Sequence, residues 1–174
     1  DVIEDIHHSF LRVGAGAVET NTFGANQIVL GEFGLADRTY ALNKLGAEVA
    51  RRAAEAHATP DRPRFVLGSI GPGTKLPSLG HVTFDVLEEN YAEQACGLLD
   101  GGVDAFIIET CQDLLQTKAA ICGADRAMQE RSRPLPIIAQ VTIEATGTML
   151  LGSEIGAALV VLESYPQVQV IGLN

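Results

Sequence analysis

Cysteines, basic residues and long apolar runs are all scarce in this chain. Only Cys96, Cys111 and Cys122 occur in 174 residues. So sparse and odd a set is no disulfide framework, and it fits a reducing, cytoplasmic setting. Lys and Arg number 12 against 22 Asp and Glu, a formal net charge of -10. Nucleic acid and anionic membrane both reward clustered Lys and Arg, so neither is an expected partner. No apolar run approaches the roughly 20 residues of a spanning helix. The opening Asp1-Val2-Ile3-Glu4-Asp5 lacks the basic-then-apolar layout of a signal peptide, and no initiator Met precedes it. The four histidines (His7, His8, His57, His81) are scattered, with no partner at metal-ligand spacing. With no Ser-His-Asp or Cys-His constellation either, no catalytic or metal-ligating residue is assigned in this chain.

What is present is ordinary globular material, 47% hydrophobic and 20% charged. The length suits one domain with a real core. Strand-like and helix-like segments alternate. Apolar residues at helical spacing from Val2 to Leu11 predict a helix stopped by Gly14 and Gly16. Residues 17–23 read as a strand, followed by a polar loop to about residue 38. Leu42 to Ala58 reads as an Ala-rich helix with Arg51, Arg52 and Glu55 on its wet face. Strands are expected at 64–70, 104–110, 136–143 and 168–174. Helices are expected at 84–99 behind an N-cap Thr83, at 114–131, and at 154–164 behind Ser153.

This α/β alternation predicts a parallel sheet covered by helices. An open doubly wound sheet and part of an eight-stranded barrel both fit. Five strands are too few for a barrel of ~250 residues. Both chain ends fall inside apparent elements, so residues 1–174 are expected to be a fragment of a single barrel domain, truncated at both ends.

In either architecture the site lies beyond the carboxyl ends of the strands. Those ends carry Glu19 to Thr22, Ser69, Glu109 to Asp113, Gln140 to Glu144, and Asn174. Carboxylates, amides and hydroxyls converging there suit a small polar molecule such as an amino acid. Glu109 is the sharpest candidate, because it follows Phe106-Ile107-Ile108 and a carboxylate at such a mouth needs a cationic partner. A ligand ammonium would serve; so would Lys118, or a capping role on the next helix. The Gly68-Ser69-Ile70-Gly71-Pro72-Gly73 segment matches neither a dinucleotide fingerprint nor a P-loop.

Several blocks follow one another in order: Val18-Glu19-Thr20-Asn21-Thr22-Phe23, Gly68-Ser69-Ile70-Gly71-Pro72, Asp100-Gly101-Gly102-Val103-Asp104 leading to Ile108-Glu109-Thr110-Cys111-Gln112-Asp113, Gln140 to Leu150, and Ile171-Gly172-Leu173-Asn174. Taken together they resemble the homocysteine-binding module of the cobalamin-dependent methionine synthases. The resemblance implies a partial TIM (β/α)8 barrel of about five parallel strands with outer helices. It also implies a methyltransferase whose zinc activates homocysteine as its thiolate and whose methyl group comes from methylcobalamin on another domain. Folate and cobalamin domains of the same polypeptide are then the partners. The family's first zinc cysteine follows the Gly-Leu-Asn segment, so the zinc ligands are expected outside this chain, and the fragment alone is expected to be inactive. Glu109 matches the family's strand-end Glu near the substrate ammonium. Asn21, Ser69, Glu144 and Asn174 complete the expected substrate-binding set. Alternatives are another thiol or homocysteine S-methyltransferase of the fold, a barrel lyase or aldolase using Glu109 and Glu144, and a non-catalytic ligand-binding α/β module.

Overall fold

The computed structural model describes residues 2–174. Helix α1 (Val2–Arg12) precedes β1 (Ala17–Glu19); α2 (Gln27–Gly31) and α3 (Thr39–His57) lead to β2 (Phe65–Ile70). Helix α4 (Phe84–Asp100), β3 (Ala105–Cys111), α5 (Leu114–Glu130), β4 (Ile137–Val141), α6 (Ile155–Glu163) and β5 (Val168–Leu173) follow. All neighbouring strands pair in parallel, in the order β1-β2-β3-β4-β5. A doubly wound sheet would reverse direction at a switch point. This one never does, so the strands form the singly wound arc of a barrel.

Register and alternation sort the side chains into two faces. Val66, Ile70, Phe106, Ile108, Ile137, Ala139 and Val141 are buried beneath the helices. Each Ile or Phe withdrawn from water in this way contributes roughly 1.5–3 kcal/mol. Helix α3 presents Ala47, Ala50 and Ala54, at spacings of three and four, to this core. The helices then approach so closely that a Cβ on Gly123 would lie 2.7 Å from the Glu88 carbonyl oxygen. The opposite, concave face carries Ala17, Glu19, Phe65, Leu67, Ser69, Ile107, Glu109, Ile138 and Gln140.

Several expected boundaries move, each for a local reason. Strand β1 ends at Glu19 rather than Phe23, because threonine hydroxyls replace the ladder beyond it. The expected loop to residue 38 holds α2, capped by the Asn26 side chain, which accepts from the Val29 amide. Helix α3 starts at Thr39, whose hydroxyl donates to the Ala36 carbonyl. Thr83 does cap α4, accepting from the Val86 amide. Ser153 does not cap α6: the N-cap position is Glu154, with no side-chain cap bond. Arg51 leaves the wet face to donate to the Gly102 carbonyl and, at 2.6 Å, to Asp104 Oδ2. Asp104 also accepts from the Val66 amide at 2.7 Å, so this ion pair ties α3 to the start of β2.

Candidate functional site

At the carboxyl end of β2 the Ser69 backbone is clamped on both sides. Its amide donates to Thr20 Oγ1 at 2.9 Å, and its carbonyl accepts from Thr22 Oγ1 at 2.8 Å. The two threonine hydroxyls are 2.6 Å apart. Thr22 spends its single proton on Ser69, so the Thr20 hydroxyl is the donor between them. Gly71 then passes so close to Phe23 that a Cβ would sit 2.6 Å from the Phe23 carbonyl oxygen. These contacts hold the end of β1 against β2 and leave the Ser69 hydroxyl facing the concave side.

That hydroxyl donates to Glu109 Oε1 at 2.6 Å. Ser69 is buried and Glu109 half-buried. Among the described residues no Lys or Arg forms an ion pair with Glu109. Asp113 caps α5 instead, accepting from the Leu115 amide and from both the amide and the hydroxyl of Ser78. Of the two structural roles open to Glu109 in the sequence, neither the Lys118 pair nor the helix cap is made. Its carboxylate therefore faces the strand mouth with one oxygen bonded by a neutral hydroxyl and no cationic partner. Glu19 shares the concave face, and its carboxyl is pushed above the ordinary range by desolvation first and by the Glu109 charge second. A cation between these groups would offset the repulsion and favour the charged form of Glu19.

Beyond Glu109, strand β3 is irregular. Ile108 pairs with Ala139 and Cys111 with Val141, so Glu109 and Thr110 together face the single residue Gln140. This is a β-bulge, and its second residue, Thr110, has φ of 62°. The Thr110 amide donates to Asn174 Oδ1 at 3.3 Å.

The structure thus joins Ser69 directly to Glu109, and Asn174 to the residue after it. Asn21 stands apart, exposed at the end of β1, lining a groove of about 460 Å³ with Glu19, His7, Phe10 and Leu67. Glu144 does not join the group: it is exposed in the turn after β4, its amide donating to the Thr148 carbonyl. Thr20, Thr22 and Thr110 are among the strand-end polar residues of the sequence but outside the expected substrate-binding set. The Thr-x-Thr spacing is visible, but a bulge leaves no periodicity signal. Thr142 is likewise a strand-end residue outside that set, and its hydroxyl oxygen is buried without a partner at the end of β4.

A zinc ion does not fit the residues present. Among the described residues no group of three or more His, Cys, Asp or Glu could hold a metal. Cys111 is fully buried, with its thiol pushed up to about 12 by desolvation, while Cys96 and Cys122 lie in α4 and α5. No described helix is long and apolar enough to cross a membrane.

Comparison with known proteins agrees with this architecture. Over all 174 residues the chain is 56% identical to a methionine synthase of Mycobacterium tuberculosis (strain ATCC 25618 / H37Rv) and 54% identical to one of Mycobacterium leprae (strain TN). It spans 14% of the length of each. Among solved structures it resembles the metallated form of the homocysteine methyltransferase MmuM from Escherichia coli, with TM-score 0.82 and 22% identity over 98% of this chain and 62% of that one. The apo form of that enzyme superposes with TM-score 0.76, over 99% of this chain and 61% of that one. At this identity the likeness concerns the fold. The family model for homocysteine S-methyltransferases matches residues 1–174, and the chain belongs to that family.

Proposed function

We propose that this chain supplies the amino-acid end of the homocysteine site in a methionine synthase. Glu109 accepts the substrate ammonium on the oxygen that Ser69 leaves free, and Ser69 fixes the carboxylate's orientation. The observation that carries this reading is the 2.6 Å Ser69–Glu109 hydrogen bond at a strand mouth where the carboxylate lacks a cation. In a parent as long as the relatives, further strands of the same domain complete the barrel over the concave face. Any zinc would be held by residues outside this chain, and would supply Lewis-acid activation of the thiol there. Folate and cobalamin domains of that cytoplasmic polypeptide would be the partners, with methylcobalamin supplying the methyl group of methionine. Asn21, at the end of β1, and Glu144, in the turn after β4, stand outside the Ser69–Glu109 pair and are given no contact with the substrate.

Glu109→Gln in the full-length parent tests the assignment, because it keeps shape and the Ser69 bond while removing charge. A charge-assisted hydrogen bond contributes roughly 1.5–3 kcal/mol. Homocysteine affinity measured by calorimetry is expected to fall about 10–150-fold, with metal content unchanged. Thermal stability should stay level or rise, since a desolvated charge is removed. Unchanged affinity together with lost stability would assign Glu109 a purely structural role.

A further inference from the structure

Thr110 is an unusual residue to find in the left-handed region. Only Ser132, in the turn after α5, shares a positive φ among the described non-glycine residues. A β-branched side chain is poorly accommodated there, because its Cβ crowds the following carbonyl. The conformation persists because it is held on both sides. Ile108 and Cys111 are locked into the ladder with β4, and the Thr142 amide donates to the Cys111 carbonyl at 2.8 Å. Between those anchors the Thr110 amide has one partner, Asn174 Oδ1. Asn174 is itself fixed by its backbone, its amide donating to Val141 and its carbonyl accepting from Ile143. A side chain from the end of β5 therefore reaches across β4 and pins the bulge that aims Glu109.

We propose that Asn174 is a positioning residue, acting on homocysteine through Thr110 and Glu109 rather than by touching the substrate. The proposal rests on the reading of Glu109 as the ammonium site. Without the Asn174 oxygen, Thr110 is free to relax toward extended backbone, and the peptide between residues 109 and 110 turns with it. Glu109 then loses its alignment with Ser69 and with the ammonium. Glycine at position 110 adopts a positive φ without steric cost and does not need the clasp. Two substitutions that look independent should thus be coupled, the second repairing the first.

The test uses the full-length holoenzyme with Asn174→Ala, Thr110→Gly and the double variant. Each is titrated calorimetrically with homocysteine and with 4-mercaptobutanoate, the same thiol acid without the amine. Asn174→Ala is expected to weaken homocysteine about 3–10-fold, the loss of one well-placed hydrogen bond. Thr110→Gly alone should leave affinity within about twofold, and the double variant should recover to within about threefold of the parent. Binding of 4-mercaptobutanoate should not change with Asn174→Ala, because the effect is routed through the ammonium. A double variant as weak as Asn174→Ala alone would mean that Asn174 touches substrate directly, and would overturn the proposal. So would an equal loss for both thiols, which would point to a general or metal-linked defect. If Glu109→Gln fails to narrow the preference for homocysteine over the amine-free thiol, the ammonium reading itself has failed. The coupling between positions 110 and 174 is then read from thermal stability: Thr110→Gly must stabilise more in the Asn174→Ala background than alone, and additive effects would refute the clasp.

Discussion

On the helix-covered face of the sheet, Val66, Ile70, Phe106, Ile108 and Ile137 are all completely buried, whereas on the concave face Phe65 is 48% exposed and Val170 51%. Both faces are apolar over most of their height. They differ in what covers them. The first is sealed by α3, α4 and α5 at contact distances that leave no room for a methyl group. The second is open at its edges, though Ile107 is buried at its centre, and only its carboxyl-terminal rim carries polar groups. Packing within this chain thus fully specifies one face and leaves the other to bind: a ligand at the rim and, in the proposed parent, the rest of the barrel below it.

Gly123→Val in the parent should break the covered face most severely. Its side chain would enter the α4 backbone at Glu88 and Ala92. We expect a loss of about 3 kcal/mol or more in denaturant unfolding, the upper range of overpacking, with little recovery by nearby repacking. A tolerated valine would show that the helix shell is looser than these contacts imply.

Asp104→Ala comes next. It removes the carboxylate that receives both Arg51 and the Val66 amide, leaving a strand donor and a partly buried guanidinium without this partner. About 2–3 kcal/mol should be lost. Homocysteine affinity should hold, because the pair lies at the opposite end of the strands from Glu109. A selective loss of affinity would contradict the separation of scaffold from rim.

The smallest effect concerns Glu19. Its folded carboxyl holds its proton more tightly than the ordinary value of 4.5. Its ionisation therefore costs stability as pH rises through 4.5 and on through the raised folded value, and the cost is constant above that. Glu19→Gln should be neutral at pH 4 and raise the melting temperature at pH 7 by no more than about 2 °C, since the group is solvent-accessible. The opposite sign at pH 7 would mean that Glu19 is held by a cation.

Much of this contrast can be read in the sequence. Apolar runs such as Phe106-Ile107-Ile108, alternating with amphipathic helices, imply a sheet covered by helices. Polar residues such as Ser69 and Glu109 at strand ends mark the rim. Two kinds of feature could not be read. Thr20 and Thr22 end β1 early through hydroxyl bonds to a residue 47 or more positions away, and such pairing has no local signature. The bulge at Thr110 opposes β-branched propensity and exists only because β4 and β5 surround it. For the same reason Asn174 and Glu144, equivalent as strand-end polar residues in the sequence, part company in the fold: one is drawn to β3, and the other faces solvent in a turn.

The most direct test of the Glu109 assignment is a crystal structure of the full-length parent with homocysteine bound. The account predicts the substrate ammonium at about 3 Å from the Glu109 carboxylate, with Ser69 still donating to the other oxygen and Thr110 still left-handed over Asn174. An ammonium held elsewhere, with Glu109 paired to a protein cation contributed by the completed barrel, would contradict it.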